Sequence, residues 1–407
     1  MRILFLHHYF PGQFAKLAHY FVVQKGYDVI ALSSGAVDGR DSEAIEGVKV
    51  IHYGTDTPSE RLGNSTLAST AEFVRRGWRA AAAANKLKQQ GWVPDVIYGH
   101  IGWGSGAFLH EVFPAAKTVK YCEWYYRSTG SDVDFLNPPP DFAGRIYTNV
   151  ENLPLLAELA HADALISPTV WQKDQFPKIF RDRIRIVPDG VDAELFAPNK
   201  DVEFDLGNGA VLRSGQRIVT YVARGADPYR GFRQFMEAWS IVQERDAHVQ
   251  AVIVGDRKIY YASGHGTERH FDDVLSSLNY DVRRTHFTGK LPLRSYLKVL
   301  QLSAVHVYLT VPFVMSWSAI EALTTGCLFI GSQTPPVQEY VTHGENGLLC
   351  DFKDTQRLAE LMLKALDGGD DMYRLRNNAR YSIANRHATS HAIKGHEGIL
   401  RDLMLIS

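Results

Sequence analysis

The sequence predicts an α/β protein of two doubly wound, Rossmann-like parallel-sheet domains, and three observations point there. The chain has 407 residues, beyond the size at which a single hydrophobic core keeps growing, so two domains are expected. Short apolar runs alternate with longer stretches of helical periodicity along almost its whole length, the pattern of parallel strands joined by crossover helices. Near the middle, Ile186-Val187-Pro188-Asp189-Gly190-Val191-Asp192 breaks that alternation with turn chemistry: proline fixes φ, and Asp-Gly tolerates positive φ.

Taken in order, the candidate strands of the first half are Ile3–Leu6, Asp28–Leu32, Val48–His52, Asp95–Tyr98, Thr118–Tyr121 and Ala164–Ser167. Helical stretches at Gln13–Gln24 and Ala71–Gln90 lie between them. Asn199 to Gly215 is polar and glycine-bearing, as an exposed opening to a new domain would be. The second half offers strands at Arg217–Ala223, Val249–Val254, His286–Phe287, Val305–Leu309 and Leu328–Gly331. Its helices are Phe232–Arg245, Arg294–Leu302, Ser316–Thr325 and Thr355–Leu366, and Tyr373 to Leu403 reads as one or two further helices. The expected division is residues 1–187, then 188–385, with 386–407 a helix packing back on the first domain. In open α/β sheets ligands sit at the carboxyl ends of strands, so the residues that follow each strand are the candidates for function.

Composition narrows the partners. Hydrophobic residues at 45% and charged residues at 22% are ordinary for a globular chain. A formal net charge of −1 gives no drive for wholesale binding to nucleic acid, and no such partner is expected. Cys122, Cys327 and Cys350 are too sparse for a disulfide framework or a zinc ribbon and fit a reducing compartment. No apolar run approaches the roughly 18 residues of a spanning helix, and the N-terminus lacks signal-peptide character. A cytoplasmic location is therefore expected, at most peripheral to the inner face of a membrane. The helix bearing Arg75, Arg76, Arg79, Lys86 and Lys88, with Phe73, Trp78 and Leu87, reads either as a solvated face or as a contact with an anionic surface.

Three segments of the second half carry candidate chemistry. Tyr221-Val222-Ala223-Arg224 ends a strand, and Asp227-Pro228-Tyr229-Arg230-Gly231-Phe232 brings a second guanidinium to a helix start. Two arginines beside free helix N–H groups suit a diphosphate; they read equally as two surface arginines. Pro312-Phe313-Val314-Met315-Ser316-Trp317-Ser318-Ala319-Ile320-Glu321 follows the strand at 305–309. There Glu321 lies mid-helix among apolar neighbours, where its carboxylate needs a sugar hydroxyl or a salt bridge. Ser332-Gln333-Thr334-Pro335-Pro336-Val337-Gln338-Glu339-Tyr340 and Gly344-Glu345-Asn346-Gly347-Leu348-Leu349 add turns at a strand's carboxyl end.

The order and spacing of these segments, with Val187-Pro188-Asp189-Gly190-Val191-Asp192, resemble the family-4 retaining glycosyltransferases of the two-Rossmann (GT-B) type. The resemblance covers nearly all of the second half and is specific for the family but not for the sugar. It implies two domains facing a central cleft, and transfer from a nucleotide-diphosphate sugar, UDP- or GDP-linked, to a glycan or lipid-linked acceptor. It also implies roles. Arg224 and Arg230, with the N–H groups around Val314, Met315 and Ser316, would meet the leaving diphosphate. Glu321 would accept from ribose hydroxyls, and the backbone at Lys290 and Leu291 would face the base. No cofactor and no metal are implied, the positive charges standing where other transferases use a cation. In the first half, His7-His8-Tyr9-Phe10-Pro11-Gly12-Gln13-Phe14 resembles the family's first loop, with Gly12 letting backbone approach donor or acceptor. Pro94-Asp95-Val96-Ile97-Tyr98-Gly99-His100 resembles the strand whose terminal histidine, His100, faces the cleft.

Two departures stand out. The family often carries a glutamate eight residues before Glu321, where this chain has Phe313; a subgroup with Pro-Phe-Val-x-Ser-Trp-Ser shares this feature. Many members end the fifth strand with a cleft histidine, where this chain reads Tyr121-Cys122-Glu123-Trp124. Glu123 would then position the acceptor hydroxyl, accept its proton, or hold an arginine such as Arg127. Asp132-Val133-Asp134 has the form of a metal–diphosphate motif but sits in a Gly/Pro-rich loop and reads as a loop. A non-catalytic nucleotide-sugar-binding subunit, or an epimerase or phosphorylase of the same fold, are the rival functions. No nucleophile elbow and no Gly-x-Gly-x-x-Gly fingerprint occur; Gly102, Gly104 and Gly106 do not fit the latter.

Overall fold

Residues 3 to 6 are apolar without interruption because both faces of their strand are covered. In the computed structural model, which describes residues 1–35, 45–54, 66–207, 209–261 and 266–406, Ile3 and Phe5 enter one core, and Leu4 and Leu6 the opposite one. The same split holds for Val29 and Ala31 against Ile30 and Leu32, and for Val96 and Tyr98 against Ile97. Strands buried on both faces are the mark of a parallel sheet layered between helices.

That sheet has seven strands: β1 (Arg2–Leu6), β2 (Asp28–Ser33), β3 (Lys49–His52), β4 (Val96–His100), β5 (Lys117–Tyr121), β6 (Ala164–Ser167) and β7 (Ile184–Ile186). The order is β3-β2-β1-β4-β5-β6-β7, all parallel. Its register sets Phe5 beside Ala31 and Tyr98, and the rings of Phe14 and Phe21 complete that layer. This unit comprises Met1–Asp189 and Thr389–Ser407. Helix Thr389–Asp402 contributes Ile399 and Leu400 to its core.

The second unit, Gly190–Ala388, opens with a hairpin of β8 (Glu203–Asp205) and β9 (Val211–Arg213). A six-stranded sheet then forms from β10 (Ile218–Gly225), β11 (Gln250–Asp256), β12 (Thr285–Gly289), β13 (Val305–Tyr308), β14 (Phe329–Ser332) and β15 (Leu348–Cys350). Its order, β12-β11-β10-β13-β14-β15, is again parallel throughout. The predicted fold class is therefore present in both halves. Asn199 to Gly215, expected as an exposed polar segment, holds the hairpin: Phe204 and Leu212 point inward, and Glu203, Asp205 and Arg213 beside them are exposed. No helix among the described residues is long and apolar enough to cross a membrane.

The N-terminal sheet encloses a charge pair that sequence reading did not anticipate. Lys120, on β5, donates to Glu158 Oε2 at 2.8 Å, with both side chains almost fully buried. The second oxygen, Oε1, accepts from the Gly106 N–H at 3.1 Å. A Cβ on Gly106 would lie 2.2 Å from that carboxylate and 2.6 Å from the ammonium, so glycine is what lets the backbone approach the pair.

Buried neutral histidines set the acid limit of this fold. Burial pushes His7 and His306 down to about 3 and His396 to about 4, from an ordinary value of 6.5. Unfolded histidine binds its proton near 6.5, so between 6.5 and these values the unfolded state holds more protons. Stability is then complete above pH 6.5 and declines on acidification by about 1.4 kcal/mol per pH unit for each such histidine. The expected result is a Tm that falls steadily from pH 6.5 towards 4; a flat Tm across that interval would contradict it.

Candidate functional site

In the C-terminal unit, the carboxyl ends of β10, β11 and β13 gather the candidate residues. Asp227 caps the turn Pro228–Arg230, its Oδ1 accepting from the Tyr229 N–H at 3.0 Å. Its Oδ2 accepts from the N–H groups of Tyr260 and Tyr261, both at 2.7 Å. One buried carboxylate thus fixes two loops against each other. Gly231 follows with φ +65, a conformation open to glycine, and a Cβ there would sit 2.7 Å from Leu309.

That turn aims Arg230 inward rather than to the surface. Arg230 is 4% exposed. Its Nη1 donates to Tyr308 Oη and Thr310 Oγ1, each at 2.7 Å, and to the Val314 carbonyl at 2.9 Å. All three acceptors are neutral, and among the described residues no carboxylate lies within ion-pair distance of it. A buried, permanently charged guanidinium whose neighbouring acid, Asp227, stands outside ion-pair distance favours an anion at its edge. Tyr308 Oη also accepts from the Ser316 N–H at 2.8 Å. Arg230 is therefore coupled through one hydroxyl to the residue that opens helix Trp317–Thr325, whose N-terminal dipole has the same sign of preference.

Arg224 ends β10 and is exposed. Its guanidinium lies over the Tyr260 ring, 4.1 Å from the centroid. Tyr260 Oη donates to Asp256 Oδ2 at 2.8 Å, and Lys290 Nζ pairs with that oxygen at 2.9 Å. Burial opposes ionisation of Asp256, but the Lys290 and Tyr260 hydrogen bonds outweigh it and hold the carboxyl down to about 2. Lys290 is thus occupied within the protein, and Leu291 packs against the core. Met315 packs there too. Glu321 accepts from the Tyr296 hydroxyl, which donates to its Oε2 at 2.6 Å. Phe313 sets its ring 5.8 Å from Tyr229 and 5.6 Å from Tyr261, with the Arg230 guanidinium 5.9 Å away.

The N-terminal unit brings a separate group together. The Tyr9 N–H donates to His7 Nδ1 at 3.0 Å, so the proton sits on Nε2, which meets Gln13 Oε1 at 2.8 Å. Gln13 Nε2 donates to Glu123 Oε1 at 2.7 Å. From the other side, His100 Nδ1 accepts from the Gly102 N–H at 2.9 Å, and its Nε2 faces Glu123 Oε2 at 3.3 Å. Glu123, with its side chain 32% exposed, thus lies between the half-buried Gln13 amide and the buried His100 ring. Trp103 packs against the rings of His7 and His100. Gly12 has φ +46, and a Cβ there would fall 2.3 Å from the His7 ring, so glycine leaves room for that histidine. Asp134, of the Asp-x-Asp motif, spends both oxygens on the Gly130 N–H at 2.9 Å. No group of three metal-ligating side chains occurs among the described residues.

Sequence reading named His100, Glu123, Gly12 and both arginines, and the structure joins the first three in one network. It missed Gln13 and His7 as the link, Asp227 as the loop clasp, and Tyr260, Tyr296 and Tyr308 as the hydroxyls that hold the charged groups. Asp227-Pro228 carried a usable signal, since Asp before Pro is a helix-opening cap; the tyrosines carried none.

Two Rossmann-like parallel sheets define a protein of the GT-B class. Residues 25–196 match the family model of the glycosyl transferase family 4 group, and residues 208–382 that of the glycosyl transferases group 1. The chain thus carries a family-4-group domain followed by a group-1 domain. Among solved structures it resembles sucrose-phosphate synthase from Thermosynechococcus elongatus, with a TM-score of 0.75, 18% identity and 100% of each chain covered. HepE from Anabaena, in complex with UDP-glucose, gives 0.70 at 16% identity, covering 99% of this chain and 100% of that one. The N-terminal domain of trehalose-6-phosphate phosphatase from Candida albicans gives 0.71 at 13%, covering 98% and 96%. At such identities the likeness is one of fold. No curated protein matches the sequence significantly.

Proposed function

We propose that the chain is a metal-independent, retaining glycosyltransferase that uses a nucleotide-diphosphate sugar, UDP- or GDP-linked. Its acceptor is a glycan, a lipid-linked saccharide or a small molecule, in surface polysaccharide or glycoconjugate biosynthesis. The observation that carries this reading is Arg230: a buried cation with no carboxylate in ion-pair distance among the described residues, wired through Tyr308 to the start of a helix. As the anomeric bond breaks, negative charge grows on the departing diphosphate. Arg224, Arg230 and the N–H groups near Val314–Ser316 stabilise it in place of a cation. Glu321, held by Tyr296, takes the ribose hydroxyls, and the backbone at Lys290 and Leu291 faces the base. HepE, which shares the fold, has been crystallised with UDP-glucose.

On the N-terminal unit, Glu123 and His100 receive the acceptor. Gln13 and the buried His100 leave Glu123 oriented for an incoming hydroxyl, which it positions or deprotonates. Phe313 replaces a side-chain contact to the donor sugar with an aromatic wall, as in the Pro-Phe-Val-x-Ser-Trp-Ser subgroup.

Thermal unfolding against a panel of UDP-, GDP-, ADP- and CMP-sugars, with EDTA present, tests the donor site. One nucleotide class is expected to raise Tm, by the mass-action stabilisation of about 2.7 kcal/mol at one hundred times Kd. Loss of that shift on adding EDTA would contradict metal independence, and absence of any shift would contradict donor binding. Retention is read from the anomeric configuration of the product by NMR; inversion would overturn that part.

A further inference from the structure

A cavity of about 450 Å³ lies in the N-terminal unit, between the segment after β5 and the helices after β6. Its volume is within the range of small-ligand sites. Arg127 and Arg181 both line it. Among the described residues neither guanidinium has an acid within ion-pair distance. The Asp174 carboxylate stands on the same wall, so these three side chains leave one net positive charge.

Gln175 adds a directional signal. It is 4% exposed, and its Nε2 donates to the Trp171 carbonyl at 2.8 Å. Its Oε1 is buried and has no donor. An orphaned acceptor of this kind is uncommon in a folded protein and is satisfied when a ligand or water brings a hydroxyl. The Tyr126 ring, 36% exposed, stands at the rim, and Asn149 adds an amide. Unpaired guanidiniums, an unpartnered carbonyl acceptor and an aromatic rim together match one kind of ligand, a sugar carrying an anionic group.

We infer that this cavity is a subsite for an acidic sugar residue, with its carboxylate or phosphate on Arg127 and Arg181 and a ring hydroxyl on Gln175 Oε1. The assignment of that sugar to the acceptor rests on the glycosyl-transfer reading above; the binding itself does not.

Calorimetric titration of the full chain with methyl glucuronide, glucose 6-phosphate, methyl glucoside and inorganic phosphate tests it. At least one acidic sugar is expected to bind about tenfold more tightly than the neutral glucoside. Arg127→Ala and Arg181→Ala, both at positions outside the core, are each expected to weaken that binding by about tenfold. Which acidic sugar binds distinguishes the carboxylate from the phosphate form. Equal binding of neutral and acidic sugars overturns the inference, as do no binding by any probe and unchanged binding in both variants. Inorganic phosphate binding as tightly as the phosphosugar overturns the sugar assignment. The nucleotide-sugar Tm shift, measured on the same variants, separates the two readings. If that shift persists while acidic sugars fail to bind, only the subsite falls. If acidic sugars bind through the arginines while no nucleotide sugar does, the subsite stands and the donor reading falls.

Discussion

Arg224→Ala is expected to lower kcat/KM by about two to three orders of magnitude, roughly 2.7–4 kcal/mol of transition-state stabilisation, with Tm almost unchanged. The separation of the two effects follows from where Arg224 sits. It is exposed at the end of β10 and rests on the face of Tyr260, a contact worth about 0.5–1 kcal/mol at an exposed site. Removing it therefore costs the fold little. A guanidinium that meets charge as it develops on a leaving diphosphate is worth far more, because it is oriented before the charge appears. Arg224→Lys restores the charge without the planar fork and is expected to recover only part of the rate. Steady-state kinetics beside thermal unfolding makes the comparison, and a near-wild-type kcat/KM for Arg224→Ala would remove this residue from the chemistry.

The second large effect is on stability. Glu158→Ala strands the Lys120 ammonium inside the N-terminal sheet, where it is 3% exposed, and leaves the Gly106 N–H without its acceptor. Breaking a buried pair in this way costs about 3–5 kcal/mol. For a unit of this size that lowers Tm by on the order of 10 °C. Removing both charges together, in Lys120→Met with Glu158→Leu, is expected to recover much of the loss, because neither ion then has to be desolvated. Urea unfolding of the two variants supplies the test. A cost below about 1 kcal/mol for Glu158→Ala would mean that water reaches the pair.

Much of the architecture was legible because the chain is locally consistent. Runs such as Ile3–Leu6 and Val249–Val254 read as buried strands, and their alternation with helical periods implied parallel order. Three-residue elements were less visible: β7 and β15 are too short to show a period, and the hairpin of β8 and β9 hides in a polar stretch. Charged residues at strand ends were legible as candidates, since Arg224 and Arg230 flank a turn whose residues announce it. What they touch was not. Tyr308 and Val314 come to Arg230 from the far side of a crossover, and Tyr296 reaches Glu321 across the packing of two helices. Lys120 and Glu158 were silent for the same reason: each is unremarkable in its own segment, and only the sheet brings them together. Side-chain partners set by tertiary packing leave no periodic trace along the chain.

The central claim is that two arginines of the C-terminal unit, without a metal, carry the departure of a nucleoside diphosphate. Its most direct test is release of nucleoside diphosphate from the preferred sugar donor, in EDTA and with an acceptor mixture, by wild-type protein and by Arg224→Ala. The account predicts sustained release by the wild type and at least a hundredfold less from the variant. A wild-type protein that binds the donor to saturation yet releases nothing would contradict it and identify a binding subunit instead.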